Sequence, residues 1–289
     1  MIRRPSGSDF QLITQVDHAA LAGFLAAHLG NDLFAAPTAE VIAAITAHDA
    51  GWPLHDDRPA LNPAGLPLHV FETPPSLSTQ IWSTSVEHAT RISPYVALLV
   101  SLHQLNLSDF VIRRSTEAKP GTAGFTPRDV FDLNKFQHRQ IELQETFRNQ
   151  LGMRTDIPLT LGVAQPGTNQ AEDRLRCDFR WLVLCDSLSL ELCCGKSTFP
   201  AIPDILPGPS GKPIQIQIDR VNDETIVLNP WPFDAPAIST EVPFRSLPDM
   251  TFQDNEALRA ALEGASTERL CVELRSTKNS LNPRPASCR

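Results

Sequence analysis

The chain has 289 residues, 42% of them hydrophobic, which is enough for a sizeable buried core. Its formal net charge is −8, and the only basic runs are Arg3-Arg4 and Arg113-Arg114, so the composition argues against a nucleic-acid binder. The most apolar stretch, Ala19 to Leu29, is too short for a membrane span and is interrupted by His28; no signal segment precedes it, and a cytoplasmic protein with no membrane partner is expected.

The elements can be taken in chain order. A first helix is predicted from Asp9 to Leu29, with His18 on the same stripe as Leu21, Leu25 and Leu29. A second opens at the cap Thr38, carries Val41, Ile42 and Ile45 inward, and ends in His48-Asp49-Ala50-Gly51. A proline- and aspartate-rich loop runs from Trp52 to Pro75. A helix from Ser78 to Ser93 follows, with Ile81, Ser85, His88 and Ile92 as its stripe. Pro94 opens another from Tyr95 to Leu105, where Val96, Leu99 and His103 align. Residues 110–126 read as a loop. Thr126-Pro127-Arg128-Asp129 then starts a helix reaching Leu151: a cap, a proline at the first position and an acid in the first turn. A long helix spans Asn169 to Cys193, with Asp186 inside a stripe of Leu175, Phe179, Leu182 and Leu190.

Beyond Gly195 the period changes. Ile214, Ile216 and Ile218 alternate with glutamines as a half-buried strand, joined through Asn222-Asp223 to a second over Thr225 to Leu228. Pro230-Trp231-Pro232-Phe233 is too proline-rich for a central strand and reads as a docking element. A short helix from Asp254 to Glu263, a strand from Leu270 to Leu274 and a flexible tail end the chain. The six cysteines form no Cys-x-x-Cys pair, and Cys185, Cys193 and Cys194 lie in or beside an apolar helical pattern. Neither a disulfide framework nor a cysteine zinc site is expected.

Six metal-competent side chains thus fall at inward or terminal positions of five helices: His18, His48, Asp49, His88, His103 and Asp186. A charge on an apolar stripe costs several kcal/mol unless it is paired, neutralised or metal-bound. Each residue also has a plainer reading. Asp186 could cap a helix or pair with Arg174 or Arg180, and His88 or His103 could be an ordinary core histidine. His48-Asp49 differs, because adjacent ligands at a helix end diverge and can serve two centres.

Read in order, the segments are Asp17-His18-Ala19, Ala47-His48-Asp49-Ala50-Gly51, Glu87-His88-Ala89, Ser101-Leu102-His103 and Cys185-Asp186-Ser187-Leu188-Ser189. This order resembles the HD-domain superfamily of metal-dependent phosphohydrolases. The resemblance implies a mainly α fold: an HD-like helical bundle over 1–197, with a small strand-rich α+β subdomain over 198–289 packed on it. It also implies one or two divalent ions, Fe or Mn in preference to Mg, Zn or Ni. His18, His48, Asp49 and Asp186 would hold the first, and Asp49 would bridge to a second held by His88 and His103. Trp52 stands where many HD hydrolases carry a lysine. His55 and Asp56, with Asp57, follow the pair and are candidate substrate-contacting groups beside Asp49, or else an exposed turn. The chain also looks like a bacterial family recorded only as a domain of unknown function, through His48-Asp49-Ala50-Gly51-Trp52, Tyr95 to His103 and Pro230-Trp231-Pro232-Phe233.

Three functions are open at this level. The first is a phosphohydrolase acting on a small, anionic phosphorylated metabolite or nucleotide. The second is an HD-type di-iron oxygenase. The third is a non-catalytic metal-binding or scaffold protein.

Overall fold

The computed structural model describes residues 1–116, 125–153 and 170–277. The chain opens not with a helix but with a hairpin, β1 (Ile2–Ser6) and β2 (Asp9–Ile13), paired antiparallel. Phe10, Leu12 and Ile13 are buried while Asp9 and Gln11 are less so, a period of two. The strand ends where Thr14 accepts a hydrogen bond from the Asp17 amide and caps α1 (Gln15–Ala27). The continuous helix expected from Asp9 is therefore two elements.

The helical part continues with α2 (Ala39–Ala47), capped by Thr38 as expected, and the short α3 (Pro53–Asp56). Then come α4 (Pro75–Thr90), α5 (Pro94–Thr116), α6 (Pro127–Gln150) and α7 (Gln170–Cys194). Helix α5 runs well past Leu105, so the start of the loop expected over 110–126 is helical; residues 117–124 lie outside the described part. Thr126 and Asp129 form a reciprocal capping box on α6. Among the described residues one helical stretch, Pro94–Arg113, is long and apolar enough to cross a membrane; 56% of it is buried, as in the core helix of a globular protein.

The remaining strands are β3 (Ala201–Ile205), β4 (Ile214–Arg220), β5 (Thr225–Asn229), β6 (Ala237–Pro248) and β7 (Thr267–Ser276), with α8 (Asn255–Gly264) before the last. They overturn the mainly α, all-helical reading: the molecule is α+β. One seven-stranded sheet has the order β1-β2-β6-β7-β5-β4-β3, antiparallel except where β5 meets β7. The strands after Gly195 are not a small appendage, because β2 pairs with β6 and brings both ends of the described chain into one sheet. Strand β6 was missed although Ile238, Val242 and Phe244 alternate inward along it. Cys271 on β7 is disulfide-bonded, whereas Cys177, Cys185, Cys193 and Cys194 are free and buried. The tail expected at the C-terminus lies outside the described residues.

Helix α7 is the axis of the core. Nineteen of its residues are buried, against α1, α2, α5, β1 and β3. The Pro230–Phe233 segment seats on the end of α1, as its docking reading expects. The Gly30 amide donates to the Pro232 carbonyl, and the Asn31 side-chain Nδ2 to the Trp231 and Phe233 carbonyls. Gly30 has φ +127°, which a residue with a Cβ rarely adopts.

Candidate metal centre

Four helices converge on Asp186. The Thr14 cap sets the phase of α1 so that His18 faces inward with Leu21 and Leu25. His48 is the C-cap of α2, and Asp49 lies in the turn that follows, closed by the Trp52 amide donating to the Asp49 carbonyl. That turn packs directly on α4. A Cβ on Gly51 would collide with the Ile81 carbonyl, and the Gly51 amide donates to Ser85 Oγ at 2.9 Å. Gln104 on α5 donates to the His48 carbonyl at 2.7 Å, holding α2 and α5 in register. His103 shares the inward face of α5 with Val96 and Leu99.

His18 Nε2 lies 3.0 Å from Asp186 Oδ1, His48 Nε2 3.3 Å from the same oxygen, and His103 Nε2 3.8 Å from Oδ2. Asp49 Oδ2 is 3.8 Å from His18 Nε2 and 3.7 Å from His48 Nε2. Ligand atoms of His18, His48 and Asp186 lie within 4.8 Å of one another, and no other such group occurs among the described residues. This buried cluster can hold a metal ion.

The hydrogen bonds support that reading. His48 Nδ1 is 2.7 Å from the Ile45 carbonyl, which can only accept, so Nδ1 carries a proton, and in the neutral ring Nε2 offers its lone pair inward. His48 Nε2 and both nitrogens of His103 are buried without a hydrogen-bond partner. Each such orphan costs about 1–3 kcal/mol, and a cation at the centre would relieve the Nε2 pair. Burial opposes charge on His48, but the Asp49 and Asp186 carboxylates outweigh it and push its pKa up to about 9. For Asp186 burial is likewise the largest single influence. The His18 and His48 contacts and the charges around it nonetheless hold it well below the usual carboxylate range. Burial lowers His103 to about 3. It raises Asp49, partly offset by attraction from His48 and His18.

The other expected site residues lie elsewhere. His88 is exposed: α4 turns Ile81, Trp82, Ser85, Val86 and Ala89 inward, and His88 falls beside that face. Asp56 is buried but already engaged, accepting from the Gln15 amide at 2.6 Å and lying 3.2 Å from the Met1 amine. His55 is half-buried, edge-on to the buried Trp52. Gln104, Ser85 and Ser189 are supporting residues to which sequence reasoning gave no role. Their one signal is a small polar residue on an apolar stripe beside a ligand.

The chain matches the family model "Protein of unknown function (DUF3891)" over residues 1–249. It belongs to that family. The match spans His18 through Asp186 and the Pro230–Phe233 segment, and the family description names no activity. No curated protein and no solved structure matches the chain, so the HD resemblance rests on the order of the residues alone.

Proposed function

We propose that His18, His48, Asp49, His103 and Asp186 hold one divalent metal ion. We further propose that the protein is a metal-dependent hydrolase acting on a small phosphorylated metabolite or nucleotide. The observation that carries this reading is the set of imidazole Nε2 atoms aimed at one buried carboxylate, two of them without partners.

Three imidazoles and two carboxylates suit Fe or Mn best, with Zn, Ni or Mg compatible. One ion is favoured over two because His88, needed for the second, is exposed on α4. The same observation weighs against a di-iron oxygenase. A bound divalent ion supplies Lewis acidity toward a phosphoryl oxygen. The chain's own groups would do the rest. Asp186 and Asp49, whose side chains are 11% and 8% exposed against 1–2% for the imidazoles, mark the edge that substrate would meet.

One observation favours a second reading, a metal-bound scaffold. A cleft of about 470 Å³ is lined by residues such as Asp17, Arg58, Arg245 and Arg259, and by none of the five ligands. Turnover of phosphomonoesters and phosphodiesters by metal-loaded protein separates the two. The hydrolase reading predicts turnover lost in Asp49→Ala, while no turnover on any ester leaves the scaffold.

A further inference from the structure

Ser189 is fully buried on α7, one turn beyond Asp186. Its hydroxyl donates to the Asp186 carbonyl oxygen at 2.9 Å, and the same Oγ lies 2.9 Å from His18 Nδ1. A hydroxyl has one proton to give. With that proton on the Asp186 carbonyl, Oγ is free to accept from His18 Nδ1–H, the proton position left when Nε2 binds a cation. Without a cation His18 Nε2 lies 3.0 Å from Asp186 Oδ1, a carboxylate oxygen that only accepts, so Nε2 carries a proton there that a metal must displace. Nδ1–H against Ser189 Oγ, with Nε2 bare, is the tautomer a metal ligand requires.

His48 reaches the same state differently, because the Ile45 carbonyl facing its Nδ1 admits no other tautomer. At His18 a hydroxyl would tolerate either one. Ser189 can support the Nδ1-protonated form because its own proton has the Asp186 backbone carbonyl to go to.

We infer that Ser189 is a positioning residue of the centre. Its hydroxyl receives the His18 Nδ1 proton when metal takes Nε2 and ties the ring to the backbone of Asp186, so one side chain positions two ligands from two helices. The inference rests on the metal-binding reading above.

The test uses zinc alone as the probe, on the full chain. Zinc affinity is measured by competition with a chelator, and the His18 ring is followed by ¹⁵N NMR. Ser189→Ala is expected to weaken zinc about 10- to 100-fold and to shift the His18 Nδ1–H signal of the zinc-loaded protein. Ser189→Thr, which keeps the hydroxyl, is expected to restore most of the loss, and Ser187→Ala to leave the affinity unchanged. Wild-type protein that binds zinc, with Ser189→Ala binding as tightly, overturns the role of Ser189 and leaves the metal reading intact. So does zinc-loaded wild type with the His18 proton on Nε2, a result that does not depend on the variant folding. Wild type that binds no zinc overturns the metal reading itself.

Discussion

Two of the buried carboxylates on helix α7, Glu191 and Asp186, are treated by the molecule in opposite ways. Glu191 is closed by protein. Its Oε1 accepts from Arg220 at 2.7 and 3.1 Å, and its Oε2 from the Thr198 and Phe199 amides at 2.7 and 3.0 Å. Arg220 also reaches the Glu191 carbonyl, and Arg4 the Leu192 carbonyl at 2.7 Å, so two arginines satisfy the last turn of the helix. Asp186 instead faces three imidazoles, and two of their Nε2 atoms have no partner. A buried charge whose partners are complete is architecture. A buried charge surrounded by incomplete donors is a place for something else.

The comparison can be broken most forcefully at Glu191. Glu191→Ala takes the carboxylate from a part-buried guanidinium and leaves two amides unpaired, and is expected to cost about 3–5 kcal/mol in urea unfolding, with metal affinity unchanged in the fraction that folds. Equal loss of metal in Glu191→Ala would mean that the two carboxylates form one unit.

A smaller effect sharpens the same contrast through pH. In metal-free protein the His48 pKa is about 9, above its ordinary 6.5. The protonated form therefore contributes stability that is complete below pH 6.5 and is lost as the pH rises through about 9. Burial holds His103 neutral across that window. Metal-free Tm is expected to fall between pH 6.5 and 9, and metal, which replaces the proton, to remove that fall. A flat metal-free profile would contradict the charge assigned to His48.

The smallest effect is expected at His88, where His88→Ala should change stability by less than about 0.5 kcal/mol and leave metal content unaltered. Loss of metal in that variant would restore a second ion and with it the oxygenase reading.

The centre was largely legible in the sequence because helical period is a strong signal. His18, His103 and Asp186 each recur with apolar neighbours three or four apart, and all are buried as that spacing predicts. His88 misled because the face of α4 is rotated. Trp82 takes a buried place against Phe136, drawing Val86 and Ala89 inward and leaving Ile92 exposed. The sheet was far less legible. Phe10 and Leu12 of β2 merge with the apolar stripe of α1, and only the Thr14 cap divides them. The pairing of β2 with β6 joins segments far apart in the chain, which no local pattern announces. Tautomers were invisible for the same reason, since the Ser189–His18 contact exists only after α1 and α7 have packed.

The most direct measurement is the metal content of protein purified without chelator or added metal, beside His48→Ala and Asp186→Ala. The account predicts one equivalent of a divalent transition metal, iron or manganese first, in the wild type and none in either variant. No metal in the wild type even after reconstitution, or full content in the Asp186→Ala variant, would contradict it.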